Sequence, residues 1–310
     1  MIHVKSEFSN FELFSEAAKN WDIDFRLLSS NDFRATLTMF ATESFQISRT
    51  SLQGKIDQYG KTPEGFRSIV IPANAAITYS WLHKEVDGSN ILIFPKDGTL
   101  DSVSYEGFDV FVVDVRETLI DDFIHIMGMV NLPSVFNQSE QYIHLSTAYF
   151  QEFNKLTNYL LHENLSEPLS AQLSNQIIHS LLSYLNKSTF MERLQLLSKS
   201  QLAVTKAVDF IHQNVGEKIF LKELCKETGM SERSLEYGFK KKYHISPSQY
   251  IKAYKLNEVK KELIAFRGSG IKISTIAGKY DFWHMGQFAN DFKKHFGVLP
   301  SDVYLRNVKV

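Results

Sequence analysis

The sequence predicts an α+β chain: a strand-rich N-terminal part folded as a sandwich or small barrel, helices after it, and an all-α C-terminal part. Three observations lead there. Short apolar runs separated by turn residues fill 25–115, helical spacing takes over at 117–186, and the last third contains one unit written twice. With 310 residues, 44% hydrophobic and 22% charged, and only 15 Gly and 7 Pro, two ordered domains are expected. Disorder and low complexity are excluded.

Strands are expected at Phe25–Leu28, Arg34–Phe40, Phe45–Leu52, Phe66–Ile71, Ile77–Leu82, Ile91–Phe94 and Phe108–Val115. Gly54-Lys55, Tyr59-Gly60, Asp87-Gly88-Ser89, Asp97-Gly98 and Glu106-Gly107 punctuate them as turns. Three helical stripes follow: Leu119, Phe123, Ile126 and Met127; then Leu145, Tyr149, Phe153, Leu156 and Leu160; then Ile177, Leu181, Leu182 and Leu185. Such stripes cover a core or, on two long helices, make a dimer seam. The expected division is 1–190 (β-rich at 25–115, helical at 117–186), a linker at 191–202, and 203–310.

Net charge is −1, but it is unevenly spread: residues 200–310 carry 19 Lys and Arg against 11 Asp and Glu, leaving −9 on the rest. A basic third on an acidic remainder is what a nucleic-acid-binding domain joined to another domain shows, because Lys and Arg displace counterions from phosphate. The single cysteine, Cys225, matches an apolar helix position and suits a reducing compartment. The N-terminus has no basic stretch leading into a long apolar run, and no run of about 18 apolar residues occurs. The expectation is a cytoplasmic chain with no membrane partner.

The repeat is the most informative feature. Leu221, Leu224, Cys225 and Met230 correspond to Ile273, Ile276, Ala277 and Phe282 at an offset of 52. After the turn the offset becomes 53, pairing Leu235 with Phe288, Phe239 with Phe292, Lys240-Lys241 with Lys293-Lys294, Tyr243 with Phe296 and Pro247-Ser248 with Pro300-Ser301. In the first copy Leu221–Thr228 reads as a short helix, Gly229-Met230 as a tight turn and Ser231 as the cap of a helix reaching Tyr243. Leu235 and Phe239 face inward, which leaves Arg233, Glu236, Tyr237 and Lys240 outward. In the second copy Lys272–Tyr280 and His284–Phe296 are the helices, with Phe288 and Phe292 inward and Gly286, Gln287, Asn290 and Lys293 outward. Ser246-Pro247-Ser248-Gln249 is a capping box with Pro at N1, starting a connecting helix that runs to about Phe266. Two helix-turn-helix units with basic ends suit two reading heads on double-stranded DNA.

The stretch Leu221–Leu235, then Phe239-Lys240, Ser246-Pro247 and Tyr250-Ile251, resembles the DNA-binding domain of the AraC/XylS family of bacterial transcription regulators. So does Ile273–Tyr304, most clearly at Phe292-Lys293-Lys294-His295-Phe296-Gly297, and 282–301 is similar to a branch that includes ethanolamine-operon regulators. The resemblance covers about Ala203–Arg306. It implies two helix-turn-helix units on successive major grooves, and an N-terminal sensor of small β-barrel, cupin-like form that binds a small effector or makes a homodimer. Asp281 departs from the family's usual Gly, Gly286 from a common Ser and Asn290 from a common Arg. The last change removes a phosphate or guanine contact.

The function expected is that of a DNA-binding transcription regulator, an activator or a repressor, with RNA polymerase as a further partner. Arg233, Glu236, Tyr237, His284, Gln287 and Asn290 are the candidates for reading bases; Lys240, Lys241, Lys293 and Lys294 are those for phosphates. The alternative is a protein-interaction module acting on RNA polymerase or a partner regulator, with DNA secondary. No enzyme is expected, since no nucleophile elbow, phosphate loop or dinucleotide fingerprint is present. His83 and Glu85 stand apart from other ligands, so neither metal nor cofactor is expected. His144, His212 and His295 are read as surface or half-buried. Trp21 and Trp81 are core or pocket aromatics, and no effector-binding residue is assigned.

Overall fold

The computed structural model describes residues 1–18, 22–29, 33–96, 98–136, 141–163, 165–188, 191–193 and 198–305. Its strands are β1 (Ile2–Phe8), β2 (Asp22–Leu27), β3 (Arg34–Ala41), β4 (Phe45–Gln53), β5 (Ile56–Lys61), β6 (Phe66–Pro72), β7 (Thr78–Trp81), β8 (Lys84–Asp87), β9 (Asn90–Ile93), β10 (Thr99–Ser104), β11 (Phe108–Arg116), β12 (Gln141–His144) and β13 (Met191–Arg193). Its helices are α1 (Phe11–Ala17), α2 (Glu117–Met127), α3 (Leu132–Phe136), α4 (Thr147–His162), α5 (Glu167–Lys187), α6 (Lys199–Gln213), α7 (Leu221–Thr228), α8 (Glu232–Tyr243), α9 (Pro247–Ala265), α10 (Ile273–Gly278), α11 (Met285–Phe296) and α12 (Pro300–Leu305). Strands dominate early and helices late, as the α+β reading requires. No helix among the described residues is long and apolar enough to cross a membrane.

The chain forms two compact units. One comprises Met1–Asp24, Arg34–Gln53 and Gln58–Gln195; the other comprises Phe25–Phe33, Gly54–Asp57 and Leu196–Val310.

In the first unit the large sheet has the order β1-β3-β4-β11-β6-β9-β12-β13; a second sheet has the order β2-β5-β10-β7-β8, with Phe25–Leu27 of β2 and Ile56–Asp57 of β5 counted in the second unit. Neither closes on itself, which corrects the barrel expected from sequence. Helices make closure unnecessary. Phe45 and Ile47, Ile69 and Ile71, Ile91 and Ile93, and Phe111, Val113 and Val115 alternate along their strands and share a core with α2, α3, α4 and α5. Strand β11 sits centrally, antiparallel to β4 and β6, with Val113 opposite Ile47 and Ile69.

The stripes of α4 and α5 are spent inside this core: Tyr149, Phe153, Leu160, Ile177, Leu181, Leu182 and Leu185 are all buried. The stripe expected on α2 is partly corrected. Ile120 is the buried residue, with Leu119, Phe123 and Ile124 packed beside it, while Ile126 (78% exposed) and Met127 face solvent.

Strand β5 runs through Tyr59-Gly60, where a turn was expected. A methyl group on Gly60 would lie 2.1 Å from the Asp22 carbonyl oxygen, so this glycine serves close backbone approach rather than a turn. Trp81 is fully buried against Phe94, ring centroids 5.4 Å apart, whereas Trp21 and Asp97 lie outside the described residues. His83 pairs with Asp101 (3.2 Å), and no three potential ligands come together as a metal site among the described residues.

The second unit is helical except where the early segments join it. The Leu28 N–H donates to the Lys55 carbonyl (2.8 Å), holding those two segments together. Asn257 of α9 takes both polar groups of Leu27: its amide donates to the Leu27 carbonyl (2.8 Å) and its oxygen accepts from the Leu27 N–H (3.2 Å). His295 of α11 donates to the same carbonyl (2.8 Å). Asp57 accepts from the Tyr250 hydroxyl (3.1 Å) and pairs with Arg26 (3.4 Å), whose guanidinium lies over the Tyr254 ring.

Candidate nucleic-acid interface

The first helix-turn-helix is built from local devices. Glu223 accepts from the Phe220 N–H (2.7 Å) at the start of α7, and Gly229 closes that helix at φ 69°. Ser231 then caps α8 through Ser234 N–H (3.3 Å). Leu235 and Phe239 are buried, as their four-residue spacing requires. Gly238 lets α8 approach α6, since a Cβ there would meet Val204 at 2.5 Å. On the opposite face Arg233, Glu236, Tyr237, Lys240 and Lys241 are exposed.

Helix α9 begins with the expected capping box, Ser246 with Gln249, and with Pro247 in its first turn. Its 19 residues span roughly 28 Å. Tyr250, Ala253 and Tyr254 are buried toward its start; Leu256, Val259 and Leu263 join the core of the second helix pair.

In the second helix-turn-helix Asp281 occupies the left-handed conformation (φ 67°) that Gly229 takes in the first helix-turn-helix. Its carboxylate accepts from the Trp283 indole N–H (3.0 Å) and lies 3.7 Å from Lys255. Two boundaries shift from expectation: α10 ends at Gly278, and α11 starts at Met285 with His284 as an N-cap that makes no side-chain bond. Phe288 and Phe292 are buried, while His284, Gly286, Gln287, Asn290, Lys293 and Lys294 are exposed.

All six candidate base readers and all four candidate phosphate contacts are therefore exposed, five on each of α8 and α11 or their caps. Both helices are 12 residues long and end in consecutive basic residues, Lys240-Lys241-Lys242 and Lys293-Lys294-His295, where the helix dipole favours positive charge. No acidic side chain among the described residues pairs with Lys240, Lys241, Lys293 or Lys294. A phosphate would meet no internal competitor there.

His295 is a correction. It is 8% exposed rather than on the surface or half-buried, and burial, with Lys260 and Lys252 nearby, pushes its pKa down to about 4 despite the Leu27 hydrogen bond. Cys225 is half-buried rather than core. Sequence reasoning also passed over Trp283 and Asn257. The first had a signal, because it sits where the repeat offset changes from 52 to 53; a single Asn within a helix gave none.

A family model described as a helix-turn-helix domain matches residues 224–306. The XylDLEGF operon transcriptional activator of Pseudomonas putida is 35% identical over 115 residues, 37% of this chain and 36% of that protein. The XylDLEGF operon transcriptional activator 2 of the same species is 31% identical over 130 residues, 42% of this chain and 78% of that protein. The chain spans about a third of the length of the first curated relatives it matches, 29% and 36%. Among solved structures the AraC-like transcriptional activator CuxR aligns over 90% of this chain and 100% of its own, at 13% identity and a TM-score of 0.44. An identity of 31% sustained over most of a shorter relative goes beyond one generic helix pair, and the chain belongs to the AraC/XylS family of bacterial transcription regulators.

Proposed function

We propose that this chain is a sequence-specific regulator that binds promoter DNA and activates transcription. The observation that carries the reading is the pair of 12-residue helices, α8 and α11, each with an exposed polar face leading into exposed lysines. Arg233, Glu236 and Tyr237 read one major groove and His284, Gln287 and Asn290 the next, while Lys240, Lys241, Lys293 and Lys294 neutralise phosphates. The 203–310 part is the reader, and the N-terminal part responds to a small effector or to a second copy of the chain. RNA polymerase is the partner an activator acts on, and the cytoplasm is where it works. No catalytic role is assigned.

For the effector, Thr62 Oγ1, Tyr79 OH and Trp81 Nε1 of the first unit are buried without a hydrogen-bond partner among the described residues. Such groups are ordinarily satisfied by water or a polar guest. For a homodimer, the inward stripes of α4 and α5 are already used, so a second copy would dock elsewhere.

The test is selection of DNA fragments by the full chain from a random library, followed by footprinting. One enriched sequence with two protected patches about one helical turn apart is expected. Arg233→Ala should then relax preference at one base pair, costing about 1–3 kcal/mol there. Lys241→Ala should weaken all sequences alike and lower the salt slope by about 1. A uniform loss from both variants contradicts the division of roles, and enrichment of no sequence contradicts DNA reading itself.

A further inference from the structure

The two helix-turn-helix units match residue for residue except at one place. Gly229 and Asp281, both left-handed, correspond at an offset of 52, and so do Met230 and Phe282. The caps Ser231 and His284 correspond at 53, as do both ends of α8 and α11. Phe282 packs on Phe288 (5.2 Å), so it keeps the inward role of its position. The extra residue is therefore Trp283.

An inserted residue in a tight turn would ordinarily be small or polar. This one is the largest side chain available, and it is 72% exposed. It is also held in place. Its indole N–H donates to Asp281 Oδ1 (3.0 Å), and its six-membered ring lies about 3.5 Å from where a Cβ on Gly278 would be. The ring stands immediately before His284 and one turn ahead of Gln287, both exposed, and Gly286 between them has open space around it. An apolar ring fixed at the mouth of a reading helix, with no side chain from Gly286 beside it, is placed to touch a base edge.

We propose that Trp283 is a specificity-determining contact of the second helix-turn-helix, its ring packing against a thymine methyl group in the major groove. The chemistry is that of apolar contact with the one hydrophobic group which B-DNA displays there. Asp281 acts as a positioning residue: its carboxylate occupies the indole N–H, so the ring presents only its carbon edge and face. The inference rests on the DNA reading proposed above.

The experiment uses the full chain and the fragment it selects. Each thymine of the site is replaced in turn by uracil, which removes only the methyl group, and affinity is measured for the native protein, Trp283→Ala and Trp283→Phe. Trp283→Ala is expected to weaken the selected site roughly tenfold while leaving unselected DNA unchanged. One uracil replacement, within the patch protected by the second unit, should weaken the native protein several-fold and Trp283→Ala not at all. Bound DNA should also shield the Trp283 fluorescence, assigned by difference from Trp283→Phe, against acrylamide; that readout holds even if the alanine variant folds poorly. Equal affinities for the native protein and Trp283→Ala, a loss spread over all sequences with no thymine singled out, or an unshielded ring would each overturn the proposal. Failure of the native protein to select any sequence would instead overturn the DNA reading beneath it.

Discussion

The two helix-turn-helix units reach the same geometry by different means. The first turns on Gly229 and caps α8 with Ser231; the second turns on Asp281 and begins α11 at His284, whose side chain makes no cap bond. The turn and N-cap of the first are thus fixed by its own sequence within a few residues, while the carbonyl that ends α8, His244, accepts from the distant Lys55 (3.2 Å). The second leans on distant groups: α12 closes its core through Val303, Lys252 pairs with Asp291 (2.7 Å), and His295 reaches back to Leu27. At the position equivalent to His295 the first unit has Lys242, also buried, with its ammonium over the Tyr243 ring. One supersecondary unit can be specified locally or by tertiary contact, and a repeat allows both solutions to be read side by side.

The largest effect that would break this contrast concerns the two cores. Phe239→Ala and Phe292→Ala each empty a fully buried site and should cost about 3–5 kcal/mol by denaturant unfolding. If the second unit depends more on its surroundings, Phe292→Ala should also loosen α12, seen as faster amide exchange there, whereas Phe239→Ala should not. Equal and local losses would erase the distinction.

A middle-sized effect is confined to the second unit. The His295 ring titrates near 4 when folded and near 6.5 when unfolded, so between those values the unfolded chain binds the extra proton. Stability from this group is therefore full above pH 6.5 and falls away as pH drops toward 4, a change of roughly 3 kcal/mol. Melting curves at pH 7.5 and 4.5 should separate by that amount in the native protein and by less in His295→Asn.

The smallest effect concerns the caps. Ser231→Ala should destabilise by about 1 kcal/mol, and His284→Ser should stabilise by a similar amount, because only the second helix lacks a side-chain cap. Thermal melting of both variants decides it; a stabilising Ser231→Ala would contradict the account.

What the sequence made legible follows the range of the forces involved. Helices α8 and α11, the connecting helix with its capping box and the inward phenylalanines depend on spacing within four residues, and these were read close to their observed bounds. Strands β1 and β8 were missed because they are short or largely exposed, and β5, β10, β12 and β13 were missed as well, each a short segment of mixed polar and apolar residues with no apolar run to mark it. Gly60 misled because glycine marks a turn and a close strand approach alike. On α2 the apolar residues outnumber those the sheet can cover, so spacing alone did not reveal that Ile126 and Met127 stay outside. The burial of His295 depends on a carbonyl far away in the chain. No local pattern encodes that.

That distance has a consequence for the time course of biosynthesis. Leu27 and His295 lie 268 residues apart. At about 5–20 residues per second on the ribosome, the Leu27 peptide is made roughly a quarter of a minute to just under a minute before its histidine exists. Until α9 is made the carbonyl lacks the Asn257 amide, and until α11 is made it lacks the His295 ring. The bonding of Leu27 is thus completed only once α11 is made, and a nascent chain stalled before His295 would carry helices able to form but an unfinished grip on Leu27.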